Sequence, residues 1–163
     1  MVIRAEGRDD GVEPTGLDRG DEELEPDGES RWNVREAQVV RKCVQGLINA
    51  GLTPIPFFEG DYTPRLKYLQ ELPPGQVLGH FDKIDRRKAK EFLGDIMCFW
   101  GNVPTSLLCC GTPQQVKSDV RELIEIFGDT GGLIIDGSVG IPDEAKPENL
   151  HALTEAVHEM GTC

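Results

Sequence analysis

The feature that most constrains this chain is a repeated unit. Between Thr53 and Met160 a short, nearly continuous apolar run is followed by an amphipathic helical stretch, four times over; the runs lie near 53–59, 75–81, 96–101 and 131–136. Strands that are apolar without alternation are buried on both faces, the habit of a parallel sheet. Alternation of such strands with helices predicts an α/β chain whose parallel sheet is covered by helices.

The helical stretches carry their own boundaries. A first one precedes the repeats, with Ser30 as cap, Val34, Ala37, Val40, Val44, Leu47 and Ile48 at helical spacing, and Gly51 as its stop. The run after Thr53 is broken by Pro54 and Pro56, which weakens it as a strand. A helix is expected from Thr63, with Pro64 in its first turn and Leu66, Leu69 and Leu72 on one face. Asp85 caps another that ends near Leu93. Thr112, Pro113 and Gln115 occupy cap, first and third positions of a helix whose apolar face is Val116, Val120, Leu123, Ile124 and Phe127. Pro147 opens the last, with Leu150, Leu153, Val157 and Met160 inward. Two architectures fit, an open doubly wound sheet and part of a closed barrel. Periodicity does not separate them.

Charge divides the chain into 1–30 and 31–163. Residues 1–30 hold eleven acids and three bases, most of the net charge of −12, with no aromatics and no period. Such a segment cannot bury enough apolar surface to offset its ordering entropy, so it is expected to be disordered. Its charge repels duplexes and anionic bilayers, which excludes nucleic acid as a partner. No apolar run approaches the roughly 18 residues of a membrane span, and the N-terminal residues have no apolar signal core. Cytoplasm is the expected compartment. The five cysteines, Cys43, Cys98, Cys109, Cys110 and Cys163, are an odd number with no paired spacing of a zinc finger. They are expected to be small buried hydrophobes rather than a disulfide framework.

Six ordered segments carry a family resemblance. Pro56-Phe-Phe-Glu-Gly60, Asp85-Arg-Arg-Lys-Ala-Lys-Glu-Phe-Leu-Gly94, Gly101-Asn102-Val103, Gly111-Thr-Pro-x-x-Val116, Gly131-Gly-Leu-Ile-Ile135, and Gly140-Ile-Pro with Lys146-Pro-Glu-Asn149 and Glu155-Ala-Val-His-Glu159 follow in order. Together they resemble the C-terminal half of the uroporphyrinogen decarboxylase (URO-D) superfamily. The resemblance implies a partial (β/α)8 TIM barrel, a half barrel of the last four βα units. It also implies that the chain either dimerises or meets a missing N-terminal barrel half, because four strands leave two open edges and a bare inner face.

Barrel active sites gather at the C-terminal ends of the strands. Those ends supply Glu59, Asp61 and Tyr62, then His80, Asp82 and Lys83, then Cys98, Trp100 and Asn102, then Asp136 and Ser138. His80 is the expected proton donor or metal ligand, with Asp82 to orient it; these two are the expected catalytic residues. Glu59, Asp61, Tyr62, Lys83, Trp100, Asn102 and Ser138 are the expected substrate-binding residues. The plainer alternatives stay open: loop residues at any barrel mouth, Asn102 as the holder of a turn, Trp100 as filling. His151 and His158 fall on the last helix, away from the mouth.

Departures from the family pattern bear on the reaction. The decarboxylases carry Gly-His-Gly at the last strand and the corrinoid methyltransferases Gly-Cys-Gly, whose thiolate binds zinc; counting back from Pro147 puts Val139 there. The methyltransferases' His-x-Cys-Gly-Asn corresponds to Cys98-Phe99-Trp100-Gly101-Asn102. Cys98 alone is one ligand where zinc needs three or four. Zinc and cobalamin are therefore cofactors by resemblance only. The Gly-Ile-Pro loop, Lys-Pro-Glu-Asn and the Gly-Thr-Pro helix start look closer to the methyltransferase branch. The first expectation is a corrinoid- or tetrapyrrole-linked methyltransferase-like fragment, whose partner is a corrinoid or tetrapyrrole-type ligand or a corrinoid protein. The alternatives are uroporphyrinogen decarboxylation in porphyrin biosynthesis, a carboxy-lyase reaction, and a non-catalytic truncated partner subunit.

Overall fold

The computed structural model describes residues 31–130 and 132–161. The acidic segment 1–30, the Ser30 cap, Gly131 and Cys163 lie outside the described residues. Four strands, β1 (Phe57–Asp61), β2 (Leu78–Lys83), β3 (Cys98–Trp100) and β4 (Leu133–Ile134), form one sheet in the order β1-β2-β3-β4. Every pairing is parallel. Sequential parallel order with one covered face is half of a (β/α)8 barrel rather than a doubly wound sheet, whose order reverses at a switch point.

The strands are shorter than the apolar runs, for local reasons. Pro54 and Pro56 have no N–H to donate, so regular pairing begins only at Phe57. Their carbonyls still accept, from Leu78 N at 3.2 Å and His80 N at 3.0 Å, which lays the run along β2 at the sheet edge, where proline is tolerated. Past β4 the ladder continues irregularly: Val103 N donates to Asp136 O at 2.9 Å and Ser138 N to Val103 O at 2.8 Å.

Helices α1 (Arg31–Asn49), α2 (Arg86–Leu93), α3 (Thr105–Cys110), α4 (Pro113–Phe127) and α5 (Pro147–Met160) roof the sheet, with a 3-10 helix at Thr63–Leu69. The α-helix expected from Thr63 is this tighter turn instead. The Pro73-Pro74 pair closes off any long continuation. Asp85 caps α2 by accepting from Lys88 N at 3.0 Å. Thr112 and Gln115 form the reciprocal capping box of α4. On α4 the buried residues are Val116, Val120, Leu123, Ile126 and Phe127; Ile124, expected inward, is only half-buried, and Ile126 takes its place. Helix α3 was not expected. It is six residues long and only Leu108 is buried, so it carries no apolar period.

Side chains alternate across a strand. Phe58, Phe81 and Phe99 are buried under the helices, Phe99 stacking on Phe127 of α4 with ring centroids 4.3 Å apart. They join Leu66, Leu69, Leu93, Leu108, Leu123 and Ala152 in one continuous core. The core thus lies wholly between sheet and helices, and among the described residues no element covers the other face of the sheet.

Candidate functional site at the barrel mouth

The register places one residue from each strand in a level row: Phe57 pairs with His80, His80 with Trp100, and Trp100 with Ile134. All four alternate with the buried outward-facing set, so they stand on the uncovered inner face. The His80 imidazole stacks on the Trp100 indole at 4.9 Å with 12° between planes, and Phe57 tilts against His80 at 4.8 Å. Phe57 is 39% exposed and Ile134 47%. The row is a largely aromatic surface, near-parallel only at His80 and Trp100 and open toward the barrel interior.

Two residues further along the strands come the acids. Asp82 Oδ2 accepts from Gly60 N at 3.1 Å, tying the end of β1 to the end of β2. Asp136 accepts from Trp100 Nε1 at 3.0 Å and from Gly137 N at 2.7 Å, which fixes the indole plane. His80 Nε2 lies 3.5 Å from the Gly137 carbonyl. Asp82 therefore does not orient His80; the indole and the Gly137 backbone do. Gly137 must stay small, because a Cβ there would lie 2.1 Å from Gly140 O. Glu59 and Lys83 are exposed at the rim, and Ser138, past β4, is buried.

Of the expected site residues, Tyr62 sits in the core, while Asp61 stays at the end of β1 opposite Lys83. Tyr62 is 2% exposed, packed against Phe58 and Phe81 in the core, with the Arg65 guanidinium 5.2 Å from its ring centre. Burial pushes its phenol up to about 12, and its hydroxyl has no partner. Asp61 accepts from Thr63 N at 2.9 Å as the chain enters the 3-10 helix. Hydrogen bonds from the Thr63 side chain and amide hold its carboxyl below the usual range.

Beside the row a polar cleft of about 510 Å³ opens between the end of β2 and the starts of α2 and α3. Asp82, Lys83, Asn102 and Ser138 line it, together with Arg86 and Asp119, which the sequence did not single out. Arg86 grips Asp119 with both terminal nitrogens, at 3.0 and 2.9 Å, and Glu122 at 3.1 Å. Its Nε donates to Asn102 Oδ1 at 3.0 Å and its Nη2 to Asn102 O at 2.9 Å, while Asn102 Nδ2 reaches Asp82 O at 3.3 Å. Asn102 thus binds the ends of β2 and β3 to the first turn of α2. Charge alone could not mark Arg86 out from Arg87 and Lys88; its role depends on Asp119, 33 residues away in sequence.

The zinc set of the resemblance does not fit. Among the described residues no group of three or more His, Cys, Asp or Glu is placed to hold a metal ion. Cys98 lies below the row, against Gly132, whose added Cβ would meet Cys98 Sγ at 2.8 Å. Val139 is a hydrocarbon side chain in an exposed turn. No helix among the described residues is long and apolar enough to cross a membrane.

Comparison with known proteins accords with this geometry. Residues 30–160 match the family described as Uroporphyrinogen decarboxylase (URO-D). The uroporphyrinogen decarboxylase of Methylococcus capsulatus is 32% identical over 130 residues, 79% of this chain and 36% of that protein. Those of Pseudoalteromonas translucida and Chlorobaculum parvum are each 35% identical, over 77 and 79 residues, 47% of this chain and 22% of theirs. The chain thus spans only about a fifth to a third of the relatives it matches. A match across nearly all the described residues, on a sheet of the matching half-barrel form, makes this chain a member of the uroporphyrinogen decarboxylase family.

Proposed function

We propose that this chain supplies one wall of a binding site for a tetrapyrrole-type ligand, in the cytoplasm, and that the site does proton chemistry on the ligand's carboxylate arms. The observation that carries this reading is the level row Phe57–His80–Trp100. A flat macrocycle needs a broad aromatic surface, and three adjacent strands present one. Release of carbon dioxide from an acetate arm breaks the bond between its methylene and carboxyl carbons, and a proton must be delivered to that methylene carbon to leave a methyl group. Imidazole is the side chain best matched to that task near neutral pH. His80 lies in the row itself, held by Trp100 and by the Gly137 carbonyl. The relatives' printed name, uroporphyrinogen decarboxylase, supports the same chemistry.

The corrinoid methyl-transfer reading retains support from the Gly140-Ile-Pro loop and Lys146-Pro-Glu-Asn149. Its zinc step finds no ligand set among the described residues, so no step is derived through it. Titration of the chain with uroporphyrinogen and, separately, with hydroxocobalamin separates the two, read by tryptophan fluorescence with Trp100→Phe to assign the signal. Quenching by uroporphyrinogen, weakened about tenfold in His80→Ala, is expected, each tenfold being about 1.4 kcal/mol. Binding of hydroxocobalamin alone would overturn the decarboxylase-like reading. No response to either ligand would overturn both.

A further inference from the structure

The polar cleft beside the row holds groups that the fold does not use. Ser138 is 5% exposed and stands on the cleft wall, yet its hydroxyl makes no hydrogen bond among the described residues. Its amide donates to Val103 O at 2.8 Å, so the backbone alone places it. A hydroxyl withdrawn from bulk water without a protein partner is completed by what enters the cleft.

The charged groups of the cleft divide into spent and unspent. Arg86 uses all five of its N–H groups, on Asn102, Asp119 and Glu122. The acids are engaged as well: Asp119 through both oxygens, Glu122 through one, Asp82 by Gly60 N and Asp85 by Lys88 N. Lys83 and Arg87 are exposed on the same cleft, and neither is in an ion pair among the described residues. The amides of Arg86 and Arg87 open α2 and have no acceptor within the helix. The unspent groups are thus donors, two of them cationic. They come from three segments: the end of β2, the first turn of α2 and the loop past β4.

Donors from three segments match the three free oxygens of a phosphate group, which a helix start also favours. A carboxylate is met best by a guanidinium fork, and the buried fork here, that of Arg86, already holds Asp119. Ile84 and Pro104 on the same wall, and a volume of about 510 Å³, leave room for an organic remainder.

We propose that this cleft binds the phosphate group of a small phosphate ester, held by Lys83, Arg87, the Ser138 hydroxyl and the first amides of α2. The inference does not rest on the ligand reading of the row, since Phe57, His80 and Trp100 are not on the cleft wall.

Amide NMR spectra of the chain test it, titrated in turn with inorganic phosphate, phenyl phosphate and succinate at constant ionic strength. Inorganic phosphate is expected to give saturable shifts at Arg86, Arg87 and Ser138. Phenyl phosphate is expected to compete for the same site, and succinate to bind about tenfold more weakly. Ser138→Ala and Lys83→Gln are each expected to weaken phosphate binding about tenfold. Lys88→Gln, on the same helix but off the cleft wall, is expected to change it less than about twofold. An unpaired hydroxyl adds nothing to the fold, so Ser138→Ala keeps the urea midpoint while losing affinity; a merely structural serine would do the reverse. Phosphate is read at these amides and uroporphyrinogen at Trp100, so either reading can fail without the other. Four results would overturn the proposal: shifts that do not saturate, succinate bound as tightly as phosphate, no competition from phenyl phosphate, or unchanged affinity in both Ser138→Ala and Lys83→Gln.

Discussion

At the scale of single residues, the mouth is organised by what each polar atom binds rather than by which residues can ionise. His80, Asp82, Trp100 and Asn102 were all legible in the sequence as strand-end residues of chemical interest. Their pairings were not, because Trp100 with Asp136 and Arg86 with Asp119 join positions more than thirty residues apart. Tyr62 shows the opposite error. It follows the strand-end acids in sequence, yet the turn into the 3-10 helix carries it into the core. Its buried hydroxyl gains no hydrogen bond there, so Tyr62→Phe is expected to leave stability unchanged or raise it. The pH dependence fixes the sign. The folded chain keeps this phenol protonated to about 12, against 10.0 for a free one. Its contribution is therefore whole below pH 10 and is lost as pH rises from there toward 12. Urea titrations across that alkaline range are expected to show a shallower decline in the phenylalanine variant. An identical decline in both proteins would assign the alkaline sensitivity to another group.

At the scale of elements, signals confined to a few neighbouring residues transferred well. The Asp85 cap of α2 and the Thr112–Gln115 capping box of α4 stand as the sequence predicts, since each involves residues three apart. Elements without a local signature were missed. Helix α3 ends at Gly111, and the closure of that end comes from α5: Asn149 Nδ2 donates to Leu107 O at 3.3 Å, Leu108 O at 2.9 Å and Gly111 O at 3.1 Å. This explains the Lys146-Pro-Glu-Asn149 motif structurally. Pro147 starts α5 and Asn149, fully buried, fastens it to α3. Asn149→Ala is expected to cost about 2 kcal/mol, because a fully buried amide that bridges three carbonyls is lost. Asn149→Asp should cost at least as much, since a carboxylate offers no N–H. Urea midpoints at constant m-value measure both; a change within about 0.5 kcal/mol, the size of an ordinary surface substitution, would contradict this role.

At the scale of the whole molecule, the parallel sheet and its helical roof were legible because strand runs and helix faces repeat in the sequence. Part of a barrel and an open doubly wound sheet share that repeat, and only the resemblance separated them; the order β1-β2-β3-β4, without a reversal, now does so by geometry. What no single repeat could show is the level row across four strands, which depends on register. The same register leaves Phe57 and Ile134 exposed at opposite ends of the row, the state of a barrel wall without its other side. Amide hydrogen exchange on the dilute isolated chain tests that claim most directly. Protection is expected in β2 and β3, with exchange at least a hundredfold faster in the edge strands β1 and β4, about 2.7 kcal/mol less protection. Equal protection of all four strands in a monomer would mean that both edges are already covered, and would contradict the account.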